Sequence, residues 1–204
     1  MEDKNLDVRE VKIVSCADPS PYITFAFACI AFAFWANSMG WLGTDATLAI
    51  GVMQLGFYGI YHVGTQKLSD TGNLFATNIY GIFAGAFAGV GGLSNVAAAL
   101  CAHFGIPFCG AVSGIVFIVS GILLLVLLPA VAHAPKTNFF VFLGGGIGCV
   151  GFGAISCGLL PGTSAVIFGW SLLVCGIAGM INVFEAFFSC FGMKVPTGKP
   201  FVKE

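Results

Sequence analysis

Charge is what this sequence has least of. Its 204 residues include 8 Lys and Arg and 9 Asp and Glu, 8% together, where a soluble domain carries about 25%. The net charge of −1 offers no cationic field, so no nucleic-acid partner is expected. The arrangements that enzymes need are missing too. There is no nucleophile–base constellation, no phosphate-binding glycine loop and no His, Cys, Asp or Glu cluster at metal-ligand spacing. The chain is therefore not expected to be an enzyme, nor to carry a cofactor or metal. The eight cysteines form no CxxC pair. The apolar runs hold no Lys or Arg, no carboxylate network and no paired Gly/Pro interruptions. That argues against a charge-relay pump and against an inverted-repeat transporter with broken helices.

What is present is apolar surface: 58% of the residues are hydrophobic and the mean hydropathy is +0.98. Six stretches stand out, Pro21–Gly43, Thr47–Gly64, Leu74–Leu100, Gly110–Ala132, Phe139–Leu160 and Ser164–Phe191. Each is near or above the roughly 20 residues a helix needs to cross about 30 Å of hydrocarbon. They are continuously apolar and not alternating, which favours helices over barrel strands. The basic residues fall in alternate connections: Lys4, Arg9 and Lys12 before the first span, Lys67, Lys136, and Lys194, Lys199 and Lys203 after the sixth. Cytoplasmic loops collect Lys and Arg. The expectation is an all-α membrane protein, a six-transmembrane-helix bundle with both termini cytoplasmic, in the plasma (inner) membrane. Residues 1–17 form a cytoplasmic segment, 18–193 the bundle, and 194–204 a flexible cytoplasmic tail.

Glycine, at 29 residues, recurs at helical spacing: Gly81, Gly85 and Gly89, then Gly110 and Gly114, then Gly144 and Gly148. Small residues four apart let helix backbones approach closely in lipid. Six cysteines read as small apolar residues. Cys101 and Cys109 flank a predicted outer loop, where a disulfide and two free thiols are both open, the second being favoured. The three histidines are scattered near helix ends.

Polar groups within spans are costly and tend to face a bundle interior or an aqueous path. Gln54, Tyr58, Tyr61 and His62 share one face of span two, and span three adds Thr77, Asn78 and Tyr80. Gln54, Tyr58, Thr77 and Asn78 are candidate pathway residues. Each has a plainer reading, since Ser and Thr can bond their own backbone and Gln or Asn can bridge helices. Ser113 and Ser120 share a face of span four, and Asn182 and Glu185 lie three apart in span six. Glu185, the one acidic residue well inside a span, reads either as a proton-coupling group or as a helix-end group near Lys194, the second being favoured.

The segment Asp18-Pro19-Ser20-Pro21-Tyr22-Ile23-Thr24-Phe25-Ala26-Phe27 resembles the Asn-Pro-x-Pro-x-Gly signature of the acetate uptake transporter, or succinate–acetate permease, family. Lys67 through Tyr80 is similar to that family's loop and third helix, and Phe168-Gly169-Trp170 with Cys175-Gly176 to its sixth. The signature departs at two positions, Asp18 for Asn and Ile23 for Gly, which bear on the capping of span one and on substrate preference. The resemblance implies a homohexamer with a pathway for small monocarboxylates in each subunit. It also implies a hydrophobic constriction made by Phe27, Tyr80 and Leu143 from helices one, three and five.

The functional expectation is transport of acetate and similar small monocarboxylates, with succinate as a further candidate, by a channel or proton-coupled permease in contact with the lipid bilayer. Asn, Thr, Gln and Tyr can replace an anion's lost hydration without a fixed charge that would trap it. Two other readings stand beside it: a non-conducting membrane sensor or assembly protein, and a channel for formate, bicarbonate or ammonia. The absence of any signalling domain weighs against the sensor.

Overall fold

The computed structural model describes residues 18–43 and 45–202, so the expectations for residues 1–17 and for Lys203 lie outside the described residues. Those that are described form helices and short connections, with no strand among them. α1 spans Ser20–Ser38. Pro21 sits in its first turn, where a missing N–H leaves no bond unmade. The Asp18 carboxylate accepts from the Ser20 N–H at 2.9 Å. An Asn at 18 has the same acceptor oxygen, so the departure from Asn keeps this bond and adds a negative charge at a helix N-terminus, where charge of that sign is favourable.

α2 spans Ala46–Asp70 and runs almost two turns beyond Gly64, the expected end of span two. The extra turns are polar, and Lys67 lies in the last one, where a cation suits the helix C-terminus. Gly72, at φ +76°, reverses the chain, and the Asn73 side chain caps the next helix by accepting from the Ala76 N–H at 3.1 Å. α3, Leu74–Phe83, continues without a break into a π-helical segment, Ala84–Gly91, and then into α4, Gly92–Phe104. Gly105 in the left-handed region ends this rod.

α5 spans Ala111–Val126 and α6 only Leu128–Val131. Pro129 cannot donate to the ladder, and the run that reads as one span, Gly110–Ala132, divides at Leu127. α7 spans Lys136–Ser156, and a 3-10 turn, Gly162–Ser164, leads into α8, Ala165–Ser189. Five helical rods are long and apolar enough to cross a membrane. The 16-residue α5 is about 24 Å long by itself, short of the hydrocarbon thickness.

α7 is the centre of the bundle, packed against α5 on one side and α8 on the other, with α1 on α8 and α2 joining α1 to the third rod. Glycine makes this possible. A Cβ at Gly144 would lie 3.0 Å from the Cys175 backbone N, and one at Gly153 only 2.5 Å from the Gly114 carbonyl. The Gly81 and Gly85 positions have no such close neighbour. Cys101 and Cys109 are free thiols.

Candidate functional site

The bundle leaves a cavity of about 570 Å³ at the end where α1 begins and α8 ends. Its polar lining comes from five places: Asp18, Ser20 and Thr24 at the start of α1, Tyr80 on α3, Asn138 on α7, Asn182 and Glu185 on α8, and Thr197 beyond α8. No Lys or Arg is among these residues. The Tyr80 and Thr24 hydroxyls are hydrogen-bonded at 2.9 Å, which ties α1 to α3 across the cavity wall. On the opposite wall Thr137 donates to Asn182 Oδ1, and Asn182 Nδ2 donates to Asn138 Oδ1 at 2.7 Å. Asn138 and Ser20 also border the cavity. Carboxylates at 18 and 185 put negative charge on the same space.

The inner end of the cavity is aromatic. Phe27 stacks on Phe83 with ring centroids 4.9 Å apart, and both touch Phe87, at 5.8 and 5.1 Å. Phe87 in turn stacks on Phe117 at 5.8 Å. Beyond Phe27 lies a second, much smaller space of about 40 Å³, walled almost wholly by apolar groups that include Phe34, Phe87, Cys149 and Phe152. Phe27 borders both spaces. Helix α1 places it mid-rod and 5% exposed, and Ala26, Ala28 and Ala31 around it are small enough to let neighbouring helices close in.

At the far end stand all three tryptophans. Trp35 packs edge-on to Trp41 at 4.7 Å and lies 6.2 Å from Trp170. Trp41 and Trp170 are more than half exposed. Amphipathic rings collect where a membrane meets water, so the cluster marks one interfacial level of the bundle.

The residues singled out in the sequence divide. Phe27 and Tyr80 meet at one cavity. Leu143 is half-buried and lines neither space, while Val141 and Phe142 beside it line the larger one. Gln54 is fully buried between helices, donating to the Phe87 carbonyl at 2.6 Å and accepting from Asn95 Nδ2 at 2.7 Å. Tyr58 is exposed and stacks on His62. Thr77 bonds the Asn73 carbonyl of its own helix, and Asn78 is exposed. None of these four lines either cavity. Span two does have a polar stripe, but Gln54 and Tyr61 point inward whereas Tyr58 and His62, some 40° and 80° round the helix from Gln54, point outward. Asn138, Phe83 and Phe87 were not legible as site residues. The signal for the two Phe was their spacing of four within a run otherwise made of Gly, Ala and Val.

Residues 194–202, read above as a flexible end, fold back on the bundle. The Thr137 N–H donates to the Thr197 carbonyl at 3.2 Å, and the Phe201 and Val202 N–H groups donate to the Ala132 carbonyl at 3.0 and 3.2 Å. Phe201 packs on Phe139 at 4.9 Å, with Lys136 Nζ 4.8 Å above its ring.

This arrangement of helical rods has a solved counterpart. The chain shares its fold with the bacterial acetate channel SatP. The two superpose with a TM-score of 0.70 over 88% of this chain and 97% of that one, at 18% sequence identity. No family model matches the sequence, and no curated protein matches it.

Proposed function

We propose that the chain is an integral membrane protein that carries acetate and similar small monocarboxylates, through a pathway in each subunit of a homohexamer. The observation that carries this reading is a largely apolar cavity set with hydroxyl, amide and carboxylate groups, which meets a smaller apolar space at Phe27. Hydroxyl and amide groups can replace a carboxylate's water, and the aromatic closure favours a solute with a small apolar end. The fold shared with an acetate channel supports the same conclusion. We assign the closure to Phe27 with Phe83 and Phe87, and to Tyr80 a donor role beside them. Whether Leu143 belongs to it, as the resemblance implies, is decided by the variants in the Discussion. The outward side chains Val112, Ile115, Val119, Ile122 and Val126 form one apolar stripe on α5, suited to lipid or to a neighbouring subunit.

A second reading concerns coupling. Asp18 and Glu185 share the cavity with no Lys or Arg among the described residues that line it, an arrangement that opposes a bare anion and favours its passage together with a proton.

Uptake of labelled acetate into proteoliposomes, with and without an inward proton gradient, tests both. Uptake accelerated by the gradient supports the permease; equal uptake in both conditions supports the channel. No uptake above empty liposomes in either condition would overturn the transport reading and favour the non-conducting sensor. Competition by formate, bicarbonate and ammonia separates the remaining alternative.

A further inference from the structure

The third rod departs from α-helical winding for eight residues, Ala84–Gly91, in the middle of the bundle. π-helical residues are rare, well under 1% of the total, and π-helical turns are frequent at functional sites. This one has little in its own sequence to hold it. Six of its eight residues are Gly or Ala, whose side chains make few contacts that could choose between two windings. What holds it comes from elsewhere. Gln54 of α2, fully buried, reaches the Phe87 carbonyl within the segment at 2.6 Å. Its other end is fixed by Asn95 of α4, one turn past the segment, at 2.7 Å. Gln54 thus bridges the middle of the π-helical stretch to the α-helix that follows it. The surroundings leave room only for this bridge. A Cβ on Gly91 would lie 2.7 Å from Gln54 Nε2, and one on Gly51 only 2.9 Å from Asn95 Cβ.

The winding matters because of where it lies. Phe83 immediately precedes the segment and Phe87 is inside it, and both pack on Phe27. A single residue of winding gained or lost turns a helix by roughly 100°, which is enough to carry one ring of the pair off Phe27. We propose that Gln54 and Asn95 are positioning residues for the aromatic closure: they lock the π-helical register, and through it they set the size of solute that passes. The inference rests on the reading of the chain as a conduit for small acids. The plainer alternative is interhelical glue, which would affect stability and leave selectivity alone.

The test uses Gln54→Met, which keeps length and apolar bulk but makes neither bond, and Asn95→Ala, which frees one end of the bridge. Each is placed in the full chain with Cys149 as its single cysteine, because Cys149 lies behind the closure beside Phe87. Two quantities are measured in proteoliposomes of matched protein content: the rate at which a small water-soluble thiol reagent modifies Cys149, and the butyrate-to-acetate uptake ratio. Both should rise about fivefold in Asn95→Ala, the factor expected when one net hydrogen bond's restraint is lost, and further in Gln54→Met, which loses two. If Cys149 access and the uptake ratio both stay within about twofold of the parent in variants that elute as the parent does, the proposal is overturned. Should Gln54→Met fail to elute so, Asn95→Ala decides on the same criterion. A parent that takes up no acid, while Cys149 access still rises in the variants, would sink the transport reading and leave the register lock standing.

Discussion

Ile23 of α1 lies directly over Gly64 of α2: a Cβ at 64 would come within 2.7 Å of Ile23 Cγ1, and closer still to Cδ1. Ile23 is fully buried. It is also one of the two positions where the opening segment departs from the signature it resembles, which has Gly there. The side chain stands on α1, and the space that receives it is the missing Cβ of Gly64 on α2. This is a packing contact: Ser20, Thr24 and Phe27 of the same helix line the cavity, and Ile23 does not.

The contact predicts coupling between the two sites. Gly64→Ala should destabilise by about 1–3 kcal/mol through overpacking, and Ile23→Ala by about 2–5 kcal/mol through the void it leaves. The double variant should recover much of the first loss, giving a favourable interaction energy of order 1 kcal/mol. Thermal unfolding in detergent measures it. Strictly additive losses would show that the two helices do not share this contact.

Asp18, the other departure, predicts a change in transport. Asp18→Asn keeps the acceptor for the Ser20 N–H and removes one negative charge from the cavity. Acetate uptake at low salt should rise about threefold, the effect of one charge several ångström away in a water-like medium, and the difference should shrink at high salt. An unchanged rate at both salt concentrations would place the rate-limiting step away from this cavity.

Tyr61 makes a prediction about stability with no functional counterpart. It is wholly buried, and its hydroxyl has no hydrogen-bond partner among the described residues. An unmade bond of this kind costs about 1–3 kcal/mol. Tyr61→Phe removes the hydroxyl and little else, so its melting temperature should equal or exceed the parent's. A clear loss of stability would reveal a partner for the hydroxyl, such as a bound water.

How much of this was readable beforehand follows from which interactions are local. The apolar runs, the close packing at Gly144 and Gly148 and the choice of Phe27 and Tyr80, which the fold brings to one cavity, all rest on composition, spacing or an aligned motif, and sequence carries those. The extra turns of α2 are helical because of capping at Gly72 and Asn73, whereas hydropathy stops at Gly64. The role of Gln54 depends on Phe87 and Asn95, 33 and 41 residues away, and a polar residue in a span reads the same whether it faces a path or a carbonyl. The tail looked mobile because Pro196 and Pro200 preclude helix, yet Phe201 finds Phe139 and Lys136.

That docking predicts a role for the tail. Thr197 forms part of the cavity wall, and Phe201 is its anchor. Phe201→Ala should cost the tail about 0.5–1.5 kcal/mol of aromatic contact, so that a protease acting on proteoliposomes from the tail's side cuts near Lys194 and Lys199 more readily. Cleavage rates equal to the parent's would mean that the backbone bonds to Ala132 and Thr137 suffice to hold it.

The make-up of the closure is settled by comparing Phe27, Tyr80, Phe83 and Leu143. Phe27 borders both cavities and touches Phe83 and Phe87, so Phe27→Ala should admit propionate and butyrate at rates approaching that of acetate. Phe83→Ala should do the same to a lesser degree, because Phe87 still covers part of the gap. Tyr80→Phe keeps the ring but removes the hydroxyl bonded to Thr24. It should slow every acid alike, by about fivefold if one net hydrogen bond is lost to the passing solute. Leu143 lines neither space, and Leu143→Ala should reduce stability with little change in size selectivity. Uptake of formate, acetate, propionate and butyrate at matched expression separates the two arrangements. Relaxed selectivity in Leu143→Ala, with Phe83→Ala unchanged, would return the constriction to the ring of Phe27, Tyr80 and Leu143 and remove Phe83 from it. The opposite result would mean that the closure sits on the third rod, at the point where its winding changes.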